Sequence, residues 1–140
     1  MFYPYYKSLK DRLTDQVAAL KDIQKYNDQY SGSNLTACVA LIEFPDTVPD
    51  PYISKTTRRM SITMVVHIVS KIMSDIDGFI PDEQYKDHDE VIDTAVTALK
   101  EYQLTYNSAN LSRPLQITGY QEVGKYRGWF VTKIFLSTKD

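Results

Sequence analysis

Tyr6, Leu9, Leu13, Val17, Leu20 and Ile23 recur at spacings of three and four, which places them on one stripe of a helix about four to five turns long. Lys10, Asp11, Arg12, Asp15, Lys21 and Asp22 fill its wet face. Asn27, Gly32 and Asn34 supply turn chemistry that ends this helix, and the period then changes. Over 36–44 both alternate sets are apolar, Cys38/Ala40/Ile42/Phe44 and Ala37/Val39/Leu41, which predicts a strand covered on both sides. Pro45, Pro49 and Pro51 cannot donate to a ladder, so the segment PDTVPDPYISKTT reads as an extended loop. From Arg58 a long strand begins. Met60, Ile62, Met64, Val66 and Ile68 point one way, and Arg59, Ser61, Thr63, Val65 and His67 form a wet or partner-facing side.

Beyond the loop SDIDGFIPDEQY, Asp87 with Glu90 three residues later predicts a capped helix start, and Val91, Ile92, Ala95, Val96, Leu99 and Tyr102 form its apolar face. The segment YNSANLSRP closes that helix. Strands over 115–123 and 126–137 then flank Gly124-Lys125, where glycine in the first central position suits a type II′ hairpin. The expected order is α-β-β-α-β-β, an α+β fold with two long helices on one face of a mainly antiparallel four-stranded sheet.

With 140 residues the chain fits one domain, 1–140, large enough to bury a core without staples. Its 16 basic and 18 acidic residues leave a formal charge of −2, which excludes a bulk attraction for nucleic acid or an anionic membrane. The one cysteine, Cys38, excludes an intrachain disulfide, and no run approaches the roughly 18 apolar residues of a membrane span. The start MFYPYYKSLK lacks signal-peptide character, so an intracellular life is expected and the sequons at Asn34 and Asn110 read as chance.

Candidate chemistry is sparse. His67 reads as a solvated or interfacial imidazole, His88 as an exposed helix residue and Cys38 as an inert buried thiol. The run Asp75-Ile76-Asp77-Gly78 imitates a calcium loop, yet Met73 and Gln84 fall where carboxylates are required. No catalytic, metal or cofactor site is expected, and an enzyme would need Asp75, Asp77 and His67 to converge. Lys55, Arg58 and Arg59 make a small basic spot. Eleven tyrosines carry more meaning, because tyrosine is enriched where proteins meet, and Phe2, Tyr3, Tyr5 and Tyr6 form an aromatic N-terminal arm that either caps a helix or docks on a neighbour.

This element order resembles that of the tail-terminator and tail-completion proteins of long-tailed bacteriophages and the neck-ring subunits related to them. The likeness runs through YKSLKDRLTDQVAALKDI, the strand ending ALIEFPD, RRMSITMVVHIV, DEVIDTAVTALKEY and the closing LQITGYQEVGKYRGWFVTKIFLS. It implies a virion protein made in the host cytoplasm, without cofactor or catalytic residues, that closes into a homo-oligomeric ring, often six-fold, against other neck or tail proteins. Nucleic-acid contact would be at most indirect. A ring needs two different patches that meet head to tail. Exposure and position suggest Tyr3, Tyr5, Tyr6, Val48, Tyr52, Lys55, Arg58, Arg59, Ser61 and Thr63 for them, with the loop 70–87 as a further contact. The competing expectation is a non-enzymatic adaptor that binds a protein or peptide between helix and sheet.

Overall fold

The computed structural model describes residues 2–27, 29, 38–45, 47–49, 60–72, 80–123 and 128–139, giving the backbone alone for 47–49 and 60. Pro4 lies in the first turn of α1 (Tyr3–Gln16), where its fixed φ and missing N–H do no harm. Ser8, Leu9 and Leu13 are the buried face of α1, and the Val17 N–H closes it on the Leu13 carbonyl. The helix is shorter than its apolar stripe. Ile23 reaches the same core from β1 (Asp22–Lys25), which pairs in parallel with β2 (Val39–Glu43) and sets Ile23 beside Ala40. A turn plus a strand therefore satisfies a spacing that reads as one more helical turn.

The next strands are β3 (Thr47–Pro49) and β4 (Met60–Lys71). The proline-bearing segment expected as loop thus contains a short strand, with Pro49 at the end of β3 and paired to Met60. After α2 (Asp82–Leu99) come β5 (Gln103–Tyr106), β6 (Ala109–Pro114), β7 (Gln116–Val123) and β8 (Trp129–Lys139). One sheet is six-stranded, ordered β1-β2-β4-β8-β7, with β3 extending the β2 side of β4; β5 and β6 form a separate pair. The expected four-stranded, mainly antiparallel sheet is corrected on three counts: the parallel β1, the short β3 and the β5–β6 hairpin. The hairpin arises at Asn107 and Ser108, with φ of 51° and 63°, the double left-handed geometry of a type I′ turn. Its Thr105 N–H donates to Ser8 Oγ at 2.9 Å, which pins it to α1.

α2 begins at Asp82 after Pro81, five residues before the expected Asp87 cap, and Asp82 and Glu83 complement the positive end of its dipole. Its buried stripe, His88, Ile92, Ala95 and Leu99, packs with Leu9 and Leu13 of α1 on one face of the sheet. That face presents Ala40, Ile42, Ile62, Met64, Val66, Ile68, Ile134 and Leu136. Each fully buried Leu or Ile there contributes about 1.5–3 kcal/mol of transfer free energy, so the shared stripe dominates the helix–sheet junction. The opposite face is also apolar, with Val39, Leu41, Val69, Trp129 and Val131 packed together beside Tyr26 and Val123. Burial of β2 on both faces follows, as its sequence predicts. Among the described residues no helix is long and apolar enough to cross a membrane.

Candidate functional site

His88 sits between α2 and the sheet, 3% exposed, rather than on the wet side of a first turn. Its Nδ1 lies 2.6 Å from Ser70 Oγ of β4 and its Nε2 2.8 Å from Thr132 Oγ1 of β8, while Phe130 packs on the ring with centroids 4.5 Å apart. Hydroxyls both donate and accept, so either neutral tautomer is satisfied. Burial pushes the imidazole pKa down to about 4, which keeps it uncharged near neutral pH. The spacing 88-92-95-99 carried this information, because a helix that starts at Asp82 turns His88 inward with Ile92.

Cys38 is half-buried with a left-handed backbone, φ 44°. Burial pushes its thiol pKa up, and the hydrogen bond with Ser70 and the charge of Lys21 oppose that only in part. Ser70 therefore stands between thiol and imidazole. Cys38, Ser70, Gln84, His88 and Val91 line a groove of about 310 Å³. It adjoins a second of about 490 Å³ between Val17, Ala18 and Ala19 after α1 and Asp87, Glu90 and Val91 of α2. A nucleophilic cysteine needs a lowered pKa, and this one moves the other way.

His67 lies on the opposite face of the sheet and is 0% exposed, which corrects the expected wet side of β4. Ser61 and Thr63, half-buried at its start, and Lys71, exposed at its end, keep a polar character on that side; Val65 and Val69 are buried. Nε2 of His67 meets Glu43 Oε1 at 2.7 Å, and its ring stacks on Tyr26 with centroids 4.3 Å apart and planes 7° from parallel. Burial lowers the imidazole pKa most, Glu43 works against that, and Lys133 and Lys25 reinforce it. Among the described residues no group of three or more His, Cys, Asp or Glu side chains is placed to hold a metal ion.

The aromatic N-terminal segment is the start of α1, folded onto its own chain rather than projecting as an arm. Phe2 stacks on Phe44 at 5.1 Å, and Tyr5 and Tyr6 pack against the core. Tyr3 is 57% exposed, tilted against Tyr6 and edge-on to Tyr106, both at 6.3 Å. Val48 pairs through its backbone with Ser61, which faces Lys139 on its other side, and Thr63 pairs with Ser137. Tyr52, Lys55, Arg58 and Arg59 lie outside the described residues, as do Asp75 and Asp77.

A surface that the sequence reading passed over lies along β7. Tyr120 of β7 is 56% exposed and Tyr85 of α2 is 41% exposed, and the Tyr85 hydroxyl donates to Glu122 at 2.7 Å. Among the described residues nothing pairs with the outer backbone edge of β7. The signal available was modest: β7 reads Gln-Ile-Thr-Gly-Tyr-Gln-Glu-Val, too polar for a strand covered on both sides.

No family model matches the chain, and no curated protein matches it in sequence. Among solved structures, a chain in the virion of a native gene transfer agent particle has the same fold, with a TM-score of 0.66 at 10% identity. The superposition covers 96% of this chain and 92% of that one.

Proposed function

We propose that this chain is a structural subunit of a virion, one that closes into a homo-oligomeric ring at the head-proximal end of a tail or in the neck between head and tail. The observation that carries the reading is the near-complete mutual coverage with a chain of a virion particle, 96% and 92%. The resemblance to tail-terminator and neck-ring proteins, drawn from element order, supports the finer placement. In this reading the mechanism is geometric: identical subunits present one defined end surface to neighbouring neck or tail proteins. His88 and His67 then serve as neutral polar ties inside the fold, and the chain turns nothing over.

The test is direct. Native mass spectrometry and electron microscopy of the purified protein should show closed rings of one copy number, and particles should contain the chain at that same stoichiometry. A chain absent from particles and monomeric at every concentration tested contradicts the reading. The groove of about 490 Å³ between α1 and α2 favours a second reading, an adaptor that binds a peptide there, and a monomer that binds peptides through Val91 would support it instead.

A further inference from the structure

The six-stranded sheet has two ends, and they differ. Among the described residues β7 ends it on one side with eight residues, Gln116–Val123, and β1 ends it on the other with four, Asp22–Lys25. An unpaired strand edge is a row of unused donors and acceptors, which proteins either blunt or use. β7 contains no proline, and Glu122 is its one charged residue. We propose that these two ends are the two halves of one contact between copies of this chain, β7 of one copy adding antiparallel to β1 of the next. The inference rests on the ring reading and names its interface.

Strand direction is the first argument. β1 and β2 run parallel, β4 opposes β2, β8 opposes β4 and β7 opposes β8, so β7 runs against β1. Two copies side by side in the same orientation therefore meet as an antiparallel pair and extend the sheet without a turn. Such a contact joins different patches and is heterologous, as ring closure requires. β-Strand addition supplies main-chain hydrogen bonds, and the flanking side chains set its specificity.

Charge and side-chain direction give the second argument. Lys25 pairs with Ile42 and lies over the Phe44 ring at 5.7 Å, on the helix-bearing face of the sheet. Glu122 pairs with Thr132, the partner of His88, and so lies on that same face. Side by side, copies bring the exposed Lys25 of β1 to the face that carries Glu122 and Tyr120. A carboxylate and an aromatic ring are both suited to an ammonium group. In the single copy Gln29 Nε2 donates to the Lys25 carbonyl at 2.6 Å and the Ile23 N–H donates to Asp22 Oδ1 at 2.9 Å, side-chain bonds that the incoming β7 would have to replace.

Cross-linking tests the contact. In a Cys38→Ser background, with Cys38→Ala as the substitute if that variant folds poorly by circular dichroism, Lys25→Cys and Glu122→Cys are made singly and together. A short bis-maleimide should convert the double variant into a ladder of covalent oligomers that stops at the ring copy number, and each single variant should stay at chain mass. The two positions lie at opposite ends of one sheet, so links form only between copies. A covalent dimer from Glu122→Cys alone means that β7 pairs with itself and overturns the proposal. Closed rings by microscopy without a ladder overturn this contact and leave the ring reading standing. Neither ladder nor oligomer in solution or in particles overturns both.

Discussion

The Nε of Arg12 donates to the main-chain oxygen of Ala98 at 2.8 Å, joining the middle of α1 to the last turn of α2. The same guanidinium lies over the Tyr102 ring, 4.6 Å from its centroid. A carbonyl in the final helical turn has no intrahelical donor, and a cation there also meets the negative end of the dipole. Arg12→Ala should cost about 1.5–3 kcal/mol, the range for a hydrogen bond to a charged group, read by urea denaturation. Arg12→Lys should recover only part of that loss, because an ammonium keeps the charge without the flat, stacking fork. Equal stability of the alanine and wild-type chains would remove Arg12 from the list of ties between the helices.

His88 makes the fold sensitive to acid. Its pKa is about 6.5 in the unfolded chain and about 4 in the fold, so between those values the unfolded state binds more protons. The stabilisation is complete above the unfolded pKa, falls as pH drops through that window and levels off below about 4. The gap corresponds to on the order of 3 kcal/mol, and the lowered pKa of His67 adds to it with the same sign. Urea midpoints measured from about pH 7 down to about pH 4.5 should decline steadily, and His88→Gln should flatten most of that slope while lowering the midpoint at neutral pH. An unchanged slope in the variant would assign the acid sensitivity elsewhere.

Glu101 occupies the left-handed region with φ 59°, between Lys100 and Tyr102, whose N–H returns to the Leu99 carbonyl at 3.1 Å. A turn with φ above zero at its third position is a type II turn, which prefers glycine there. Glu101→Gly should therefore raise stability by about 0.5–1 kcal/mol, seen as a higher melting temperature, while Glu101→Val should lower it. A lower melting temperature for the glycine variant would contradict this account of the turn.

Cys38 should alkylate slowly. Burial raises its thiol pKa, and since only the thiolate reacts, iodoacetamide labelling of the native chain should run slower than that of free cysteine. Unfolding in guanidinium should restore the full rate. Fast labelling of the folded chain would mean that the thiol is open to solvent.

The strongly periodic parts of the fold were legible in the sequence, and the parts fixed by distant partners were not. Ile62, Met64, Val66 and Ile68 declare β4 by alternation, and Ile92, Ala95 and Leu99 declare α2. β1 has no such pattern: Asp-Ile-Gln-Lys becomes a strand only because β2 lies beside it. β5 and β6 were hidden by Asn107-Ser108, which signalled a turn correctly without revealing the strands that it joins. His67 was misread because one strand changes character along its length. Ser61 and Thr63 suggest a wet side that Val65 and Val69 contradict further along the strand. The β7 edge escaped notice because an open edge is a property of the sheet order.

β8 lies between β4 and β7, paired with β4 from Trp129 opposite Lys71 to Lys139 opposite Ser61. The centre of the sheet is thus closed by β8, against a partner strand made some seventy residues earlier. During translation β4 keeps one long side unsatisfied until β8 leaves the ribosome, and such non-local pairing makes folding slow and the nascent chain prone to aggregation. The nascent chain is accordingly most exposed to misassociation in the interval between the emergence of β4 and that of β8.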